Sequence, residues 1–349
     1  MDKTPLMYIV ISASLFGLSA PLAKILVSDI EPIVLAGLLY LGAFLGLSML
    51  TLGKNLVGKK EEKTRALERD DIPWLVGAIV TGGVLGPITL MMGLKLVSGF
   101  VTSLLLNLEG LATGMIAVFF FKEEPGKRIW LALGAMTVAG ILLSWNPQQG
   151  TFNVIGPLLI VFAMICWGID NNLTRNISQK NPVHIAAIKG IVAGSVSISI
   201  ALVLGNSIDI SISILFALVV GAFSYGVSLV LFIKALEGLG SFRTGMFFSV
   251  APFIGALASL LLFDERLELV MIPAVILMVA GVYFVVTEKH THEHLHDGLH
   301  HSHYHTHDEP HHDHIHEEEI SGGHIHEHSH EDVSHTHLHW PDSHHRHEH

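Results

Sequence analysis

Ten apolar stretches, each close to the length of a bilayer crossing, constrain this chain more than any other feature. A transmembrane helix needs about 20 predominantly apolar residues, and only 15% of the 349 residues are charged. The stretches cover residues 6–27, 33–52, 74–94, 100–121, 129–145, 154–173, 184–204, 214–233, 242–263 and 269–287. We therefore predict an all-α integral membrane protein with ten transmembrane helices.

The end of the chain, residues 289–349, is a separate region that we call the tail. It contains 24 of the 25 histidines, and from residue 290 onward it carries 13 acidic residues against one basic residue, Arg346. Low hydrophobicity and high net charge predict disorder there. Residues 1–289, by contrast, hold 18 acidic and 19 basic residues. This balance excludes a broad basic surface for nucleic acid, and a single cysteine, Cys166, excludes an internal disulfide.

The distribution of Lys and Arg predicts how the body sits in the membrane. If the N-terminus is cytoplasmic, the inside segments hold fifteen basic residues and the outside connections hold three. The connection 53–71 alone holds six of them. Since basic loops resist translocation, we predict a multi-pass plasma-membrane protein with both termini, and therefore the tail, in the cytoplasm. The first stretch lacks a cleavage site and is predicted to be retained.

The body also repeats itself, which predicts two halves at 5–146 and 152–288. Matched positions include Phe16 and Trp167, Gly17 and Gly168, Leu22 and Leu173, Lys24 and Arg175, Pro32 and Pro182, Phe100 and Phe242, Thr102 and Thr244, and the segments 121–124 and 263–266, and 138–140 and 279–281. Each half holds five predicted spans, an odd number, so the second half enters the membrane the opposite way up. Two such inverted halves can open a shared midplane site to each side in turn.

These repeats resemble the drug/metabolite transporter superfamily, specifically the EamA type with two five-helix repeats. The resemblance rests on the Phe/Trp-Gly start of the first and sixth spans and on the Phe-x-Glu turn before the last span of each half. It implies a secondary carrier, in most members an exporter of amino acids, other small metabolites or drugs, rather than an enzyme. The histidine-rich tail departs from the family pattern. The sequence contains no phosphate-binding GxxxxGK[ST] loop, so ATP-driven pumping has no support.

Glu109, near the middle of the fourth span, is the clearest candidate for transport chemistry. Ionisable groups at membrane depth are costly and tend to face a cavity or a partner. The carboxylate is interpreted either as a proton-titrating or substrate-amine-binding group or as a structural acid bonded to a neighbouring helix. Asn107 lies two residues earlier and is a second candidate on a different helix face.

A polar cluster near the cytoplasmic end of the sixth span supplies further candidates. Asp170, Asn171 and Asn172 lie there, and Lys189 lies at a similar depth in the seventh span. We expect an Asp170–Lys189 pair that acts either as a cytoplasmic gate or as a structural tie, since a buried ion pair mostly offsets its own desolvation.

Pro252 in the ninth span is the last candidate, because it occupies the repeat position of Gly110 beside Glu109. Proline frees a helix carbonyl and glycine allows close approach, so both halves are expected to be irregular near the midplane. A tolerated kink is the alternative. Trp167, with three other tryptophans, and Lys24 are interpreted as anchors at the membrane interface.

The tail is predicted to bind transition-metal ions. Imidazole suits zinc, nickel, cobalt and copper, and alternating histidines let one segment wrap an ion. The candidate ligands are His292, His294, His296, His303, His305, His307, His324, His326, His328, His330, His335, His337 and His339. Two HExxH matches begin at His292 and His326. A metalloprotease is not supported, because such a tract gives chance matches and no folded site surrounds them.

Three functions follow from these observations. The first is a secondary carrier, presumed by resemblance to export a small metabolite such as an amino acid or a drug-like compound, with the tail as an accessory and no cofactor required. The second is a transition-metal exporter (zinc, nickel or cobalt) that uses the tail for capture or sensing. The third is a metal-storage or sensing protein that the membrane anchors. Association into a homodimer is left open by the sequence.

Overall fold

The computed structural model describes residues 4–56, 67–121, 127–146, 151–152, 154–177, 180–263, 268–287, 290–296, 300–305, 324–329 and 333–339. Two compact units are present, a body (1–288) and the tail (289–349). The Phe-x-Glu turns at 121–124 and 263–266 lie mostly outside the described residues, and so do the tail positions His307 and His330.

The body is built of helices. They are α1 (Thr4–Gly17), α2 (Ser19–Leu26), α3 (Pro32–Leu56), α4 (Ile72–Ala78), α5 (Gly86–Leu96), α6 (Gly99–Leu105), α7 (Leu108–Phe121), α8 (Lys127–Leu143), α9 (Ile155–Arg175), α10 (Pro182–Val203), α11 (Ile212–Val220), α12 (Ser228–Phe248), α13 (Ala251–Phe263) and α14 (Met271–Val286). Two short strands, β1 (Trp145–Asn146) and β2 (Thr151–Phe152), pair antiparallel between α8 and α9. A 3₁₀ turn (Arg69–Asp71) precedes α4.

Seven helical stretches among the described residues are long and apolar enough to cross a bilayer. They are Thr4–Leu26, Pro32–Gly53, Arg69–Leu96, Gly99–Ile116, Ile155–Thr174, Val183–Val203 and Ile212–Ala235. Two shorter apolar helices, α13 and α14, follow, and α8 covers most of the fifth predicted span. The predicted all-α membrane body is confirmed at this level, whereas the number of ten crossings remains a prediction.

The outer surface of the body is apolar, as a lipid-facing surface must be. Large side chains such as Met49, Leu158 and Leu261 are 71%, 62% and 78% exposed. The interior, by contrast, contains many small residues, which let helix backbones approach closely where lipid supplies no hydrophobic drive for association.

α12 is not a straight helix. Phe232 and Phe248 are sixteen residues apart, which would separate them by about 24 Å along a straight α-helix. Their ring centroids lie only 5.0 Å apart. The chain therefore folds back between these two residues, which agrees with the connection expected between the eighth and ninth predicted spans.

Two π-helical segments lie at equivalent places in the two halves. The first (Ile79–Leu85) joins α4 to α5 and the second (Gly221–Val227) joins α11 to α12, 142 residues later at both ends. The same offset relates Phe100 to Phe242 in the sequence repeat. π-helical turns are rare and often occur at functional sites. Two such turns at the same spacing as the sequence repeat therefore indicate a shared structural feature rather than two unrelated irregularities.

Helix breaks also occur at nearly equivalent places. The chain turns at residues 106–107 between α6 and α7, and at residues 249–250 between α12 and α13. Both breaks lie a few residues before Gly110 and Pro252, where the sequence led us to expect irregular backbone.

Helix packing between the halves comes in matched pairs. α3 packs on α10, α8 on α14 and α6 on α13; in addition, α1 packs on α12 much as α9 packs on α5, and α1 on α13 as α9 packs on α7. Glycine permits the last two crossings. A Cβ at Gly17 would collide with the Ala251 carbonyl, and one at Gly168 would lie 2.9 Å from the Thr113 nitrogen.

The tail contains strands where the sequence predicted disorder. β3 (His290–His296) pairs antiparallel with β6 (Val333–His339), and β4 (His300–His305) with β5 (His324–Ser329). The physical reason for the difference is the two-residue period of the His-x-His pattern, which suits a strand as well as a solvated coil. In register, histidine lies opposite histidine at three positions of each ladder.

Candidate functional site

A cavity of about 510 Å³ opens between the two halves of the body, and we call it the polar cavity. Its walls come from α1, α3, α7, α9, α10, α12 and the second π-helical segment. The lining residues are Phe16, Tyr40, Ala43, Leu47, Glu109, Thr113, Asn171, Ala186, Lys189, Gly190, Ser224, Tyr225, Ser228, Leu229, Phe232 and Phe248. Its size is typical of small-molecule sites.

Glu109 and Asn171 form one polar wall of this cavity. The Asn171 Nδ2 donates to Glu109 Oε1 at 3.0 Å and to Thr113 Oγ1 at 3.1 Å. Thr113 Oγ1 in turn donates to the Glu109 carbonyl at 2.9 Å, one turn back in α7. The amide thus holds one oxygen of the carboxylate in place, and a carboxylate has further lone pairs with which to accept from a ligand.

The expected ion pair between Asp170 and Lys189 is formed. Lys189 Nζ donates to Asp170 Oδ2, and Thr174 Oγ1 donates to Asp170 Oδ1 at 3.1 Å. The Asp170 side chain is only 9% exposed and the Lys189 side chain 17%. Both carboxylate oxygens are therefore engaged, and the ammonium that lines the cavity is neutralised by its partner in α9.

The Gly82 carbonyl, in the first π-helical segment, links three helices beside this ion pair. In an α-helix this oxygen would accept from the Gly86 N–H, but here Gly86 N–H donates to the Thr81 oxygen. The next residue, Pro87, has no N–H. The freed oxygen accepts from the Tyr40 hydroxyl at 2.6 Å and from Trp167 Nε1 at 3.1 Å.

Gly82 also needs to be a glycine because of Asp170. A Cβ at this position would overlap the Asp170 carboxylate. The π-helical segment thus brings bare backbone against the ion pair, and it fixes Tyr40 and Trp167 at the same point. This arrangement couples α3, the α4–α5 connection, α9 and α10.

Five aromatic rings that line the polar cavity form an unbroken series, which we call the aromatic wall. Centroid distances are 6.0 Å for Tyr40–Tyr225, 6.0 Å for Tyr225–Phe16, 5.3 Å for Phe16–Phe248 and 5.0 Å for Phe248–Phe232. They come from both halves of the body. An apolar ligand body can stack on this wall while a polar group reaches Glu109.

The structure brings some of the candidate residues together and leaves others apart. Glu109, Asn171 and Lys189 line the cavity. Asp170 is not among the lining residues but is bonded to Lys189, which is. Asn172 instead ties α9 to α7 by donating to the Thr113 carbonyl at 3.0 Å and to the Gly168 carbonyl at 2.8 Å.

Asn107 and Pro252 do not line the polar cavity. The Asn107 Nδ2 donates to the Leu104 carbonyl at 3.0 Å, so it satisfies backbone at the break between α6 and α7. Pro252 is buried in the first turn of α13. Both residues shape the backbone near the cavity rather than facing it.

Sequence reasoning missed the aromatic wall and wrongly assigned Trp167 to the membrane interface. Tyr40, Tyr225 and Phe232 gave no signal, since aromatic residues in apolar spans are common. Trp167 is buried and bonded to Gly82, not at an interface. Lys24 donates to the Leu94 and Val97 carbonyls at 2.6 Å each, so it binds the carbonyl end of α5.

A second cavity of about 560 Å³ lies between α7, α8 and α9. Its lining residues within the described part of the chain are all apolar or hydroxyl-bearing. Among them there is no charged group that could orient a charged ligand.

A surface ion cluster lies away from both cavities. Lys180 Nζ reaches Glu68 Oε1 at 2.9 Å and Asp71 Oδ2 at 3.1 Å. The hydrogen bond with the Glu68 carboxylate raises the pKa of the Lys180 ammonium above its ordinary value. The contact ties the end of the long 53–71 connection to the segment between α9 and α10.

No group of three or more His, Cys, Asp or Glu side chains that could hold a metal ion is found in the part of the chain that the structure describes. The polar cavity has carboxylate and amide oxygens but no imidazole or thiol among its lining residues. The donors preferred by zinc or nickel are thus found in the tail sequence rather than at this site.

The sequence model of the EamA-like transporter family matches the chain twice, at residues 3–145 and 154–287. The chain belongs to the EamA-like transporter family. The resemblance inferred from the repeats is thereby confirmed, and this EamA-family protein is a membrane transporter by membership.

Two relatives agree with this assignment. An uncharacterized transporter of Methanothermobacter thermautotrophicus is 26% identical over 292 residues, which cover 79% of this chain and 84% of the relative. A protein of known crystal structure aligns with 82% of this chain and 96% of its own, with a TM-score of 0.55 and 16% identity. The second likeness concerns the fold alone.

Proposed function

We propose that this EamA-family protein is a secondary carrier that moves a small metabolite, such as an amino acid or a drug-like compound, out of the cell by alternating access at the polar cavity. One observation carries the proposal: residues of both halves line a single cavity that holds Glu109 and the Asp170–Lys189 pair. A site shared between repeats is where alternating access places a substrate.

Ten crossings in two inverted halves are part of the proposal. The π-helical segments 142 residues apart, the two helix breaks and the matched helix pairs support it. An internal two-fold relation requires contacts to occur in such pairs. Since each half has five predicted spans, the two-fold axis that relates the halves would lie in the membrane plane.

Rocking of one half against the other requires that contacts between the halves break and form again. The hydrogen bond from Trp167 in the second half to the Gly82 carbonyl in the first is such a contact. The Asp170–Lys189 pair, whose Lys189 lines the polar cavity, lies beside it. We assign this cluster the role of a gate, with Glu109 as the group that binds substrate or proton. We further propose that the protein lies in the plasma membrane with both termini in the cytoplasm, which the distribution of basic residues supports.

The tail is proposed to bind zinc, nickel, cobalt or copper as an accessory of the carrier. The register of β3 with β6 and of β4 with β5, which sets histidine opposite histidine, supports this role. A metal exporter is the second candidate. It is less well supported, because the polar cavity offers hard oxygen donors that transition metals bind less readily than imidazole.

Transport by purified protein in liposomes tests the carrier. Counterflow is measured with a panel of labelled amino acids and drug-like amines. Exchange of at least one compound should be present in the wild type, lost in Glu109→Gln, and retained in the control Glu31→Gln. The Glu31 side chain is 53% exposed and its partner Lys95 lies on the surface. Equal counterflow in both variants would contradict the role assigned to the polar cavity.

A tail-deleted protein separates the two candidates. Metabolite counterflow that survives deletion of residues 290–349 supports the carrier, whereas zinc or nickel flux that the deletion abolishes supports the metal exporter. Association of two copies, which stays a prediction, is measured in the same preparation by the mass of the protein–detergent complex.

A further inference from the structure

The charges around the polar cavity do not balance. Asp170 and Lys189 neutralise each other, which leaves the Glu109 carboxylate. Within the described residues, no basic side chain lies at ion-pair distance from Glu109, and its hydrogen-bond donor Asn171 is neutral. The cavity thus offers one negative charge in a low-dielectric surrounding, where a missing counter-charge is costly.

The aromatic wall, like the Glu109 carboxylate, attracts positively charged groups. Aromatic ring faces carry partial negative charge and bind cations, most strongly when both are removed from water. Tyr225 joins Tyr40 to Phe16 in the series, since its ring contacts both. The wall and Glu109 line the same cavity of about 510 Å³.

An anionic group finds no equivalent partner. Among the lining residues that the structure describes, Lys189 alone carries a positive charge, and an anion could use it only by displacing Asp170 from a nearly buried pair. Breaking such a pair leaves a charge uncompensated. A bare metal ion is matched poorly as well, because it would contact one carboxylate and leave the aromatic wall unused.

We infer that the polar cavity selects organic cations, namely an ammonium group carried on an aromatic or apolar body, over zwitterions and anions with the same body. The ammonium lies against Glu109 and the body stacks on the rings of Tyr40, Tyr225 and Phe16. This inference rests on the carrier proposed above and names the class of its substrate.

Three probes with one body test the selection: phenethylammonium, phenylalanine and phenylacetate. Their binding to the full-length protein in lipid nanodiscs is measured by calorimetry at neutral pH. Phenethylammonium should bind at least tenfold more tightly than the other two. Glu109→Gln should weaken it by roughly 10- to 100-fold, because a charge-assisted contact is lost.

Controls keep the outcome interpretable. Glu109→Asp, which retains the charge, should bind phenethylammonium more tightly than Glu109→Gln does, and Glu31→Gln should bind like the wild type. Tighter binding of phenylalanine or phenylacetate, unchanged binding in Glu109→Gln, or no binding of phenethylammonium would each overturn the inference.

Counterflow separates this inference from the carrier itself. If phenylalanine exchanges through a Glu109-dependent route while phenethylammonium does not, the substrate class is wrong and the carrier stands. If no substrate exchanges in liposomes although phenethylammonium binds at Glu109, the carrier fails and the cation site stands.

Discussion

Replacing Gly82 by alanine tests how the π-helical segment supports the ion pair. A Cβ at this position would overlap the Asp170 carboxylate, whose partner is Lys189. Overpacking of this kind costs about 1–3 kcal/mol. If Asp170 swings away and Lys189 loses its partner, the cost reaches about 3–5 kcal/mol. We expect Gly82→Ala to lower the free energy of unfolding by at least the first amount.

The control is Gly134→Ala, in the interior of α8, where an added Cβ meets nothing within 4 Å. That change should be neutral or should stabilise by about 0.5–1 kcal/mol, because alanine favours a helix over glycine. Both proteins are unfolded reversibly in mixed micelles and compared with the wild type. Equal stability of Gly82→Ala and Gly134→Ala would refute the reasoning.

A double-mutant cycle locates the effect. An Asp170→Gly background removes both the carboxylate and the Cβ that the added methyl group would meet, so Gly82→Ala should cost much less there than it does in the wild type. Since residues in contact couple by about 0.5–3 kcal/mol, we expect a coupling energy within that range. Additive losses would mean that Gly82 acts through something other than Asp170.

The remaining predictions concern the neighbours of this cluster and the two accessory regions. Tyr40→Phe and Trp167→Phe should each cost about 0.5–1.5 kcal/mol in the free energy of unfolding, and the double variant more than their sum, because the Gly82 carbonyl then has no donor; an additive double variant would contradict this. Lys180 should be acylated slowly by an amine reagent at pH 9 and faster in Glu68→Gln, because its raised pKa keeps it protonated until the pH passes above its ordinary value; equal rates would argue against the contact. Deleting the tail should abolish zinc and nickel binding measured by calorimetry, and undiminished binding would place the metal site in the body.

Most predicted spans agree with the observed helices, because each helix that crosses a bilayer needs a run of about 20 apolar residues, and such runs are visible in the sequence. Eight of the ten spans are each largely covered by helices that begin and end within a few residues of the predicted bounds. The exceptions are the eighth, 214–233, and the ninth, 242–263, because α12 covers the end of the first and the beginning of the second. The remainder of the ninth is α13. Composition does not show where the chain folds back within α12, because the residues at the bend are themselves helical.

The Asp170–Lys189 pair was predictable and the aromatic wall was not. Charged residues are rare in apolar spans, so two of opposite sign at one depth stand out. Tyr40 and Tyr225 look like ordinary span residues, and only the fold shows that they meet. Their helices α3 and the second π-helical segment are far apart in sequence.

The role of Gly82 also lies beyond sequence reasoning. Its glycine-rich surroundings indicate close helix packing, without showing which side chain the glycine makes room for. The shift of one hydrogen bond, from Gly82 to Thr81, depends on the π geometry and on Pro87 two residues after the segment ends. Such a shift leaves no periodic signature.

Accessibility of the polar cavity from the two membrane faces tests the central claim most directly. Thr113→Cys, in a protein whose buried Cys166 is replaced by alanine, places one thiol on the cavity wall. An impermeant maleimide should label it in both right-side-out and inside-out vesicles, and substrate should protect it from both faces. Labelling from one face only, whatever substrate is added, would contradict alternating access.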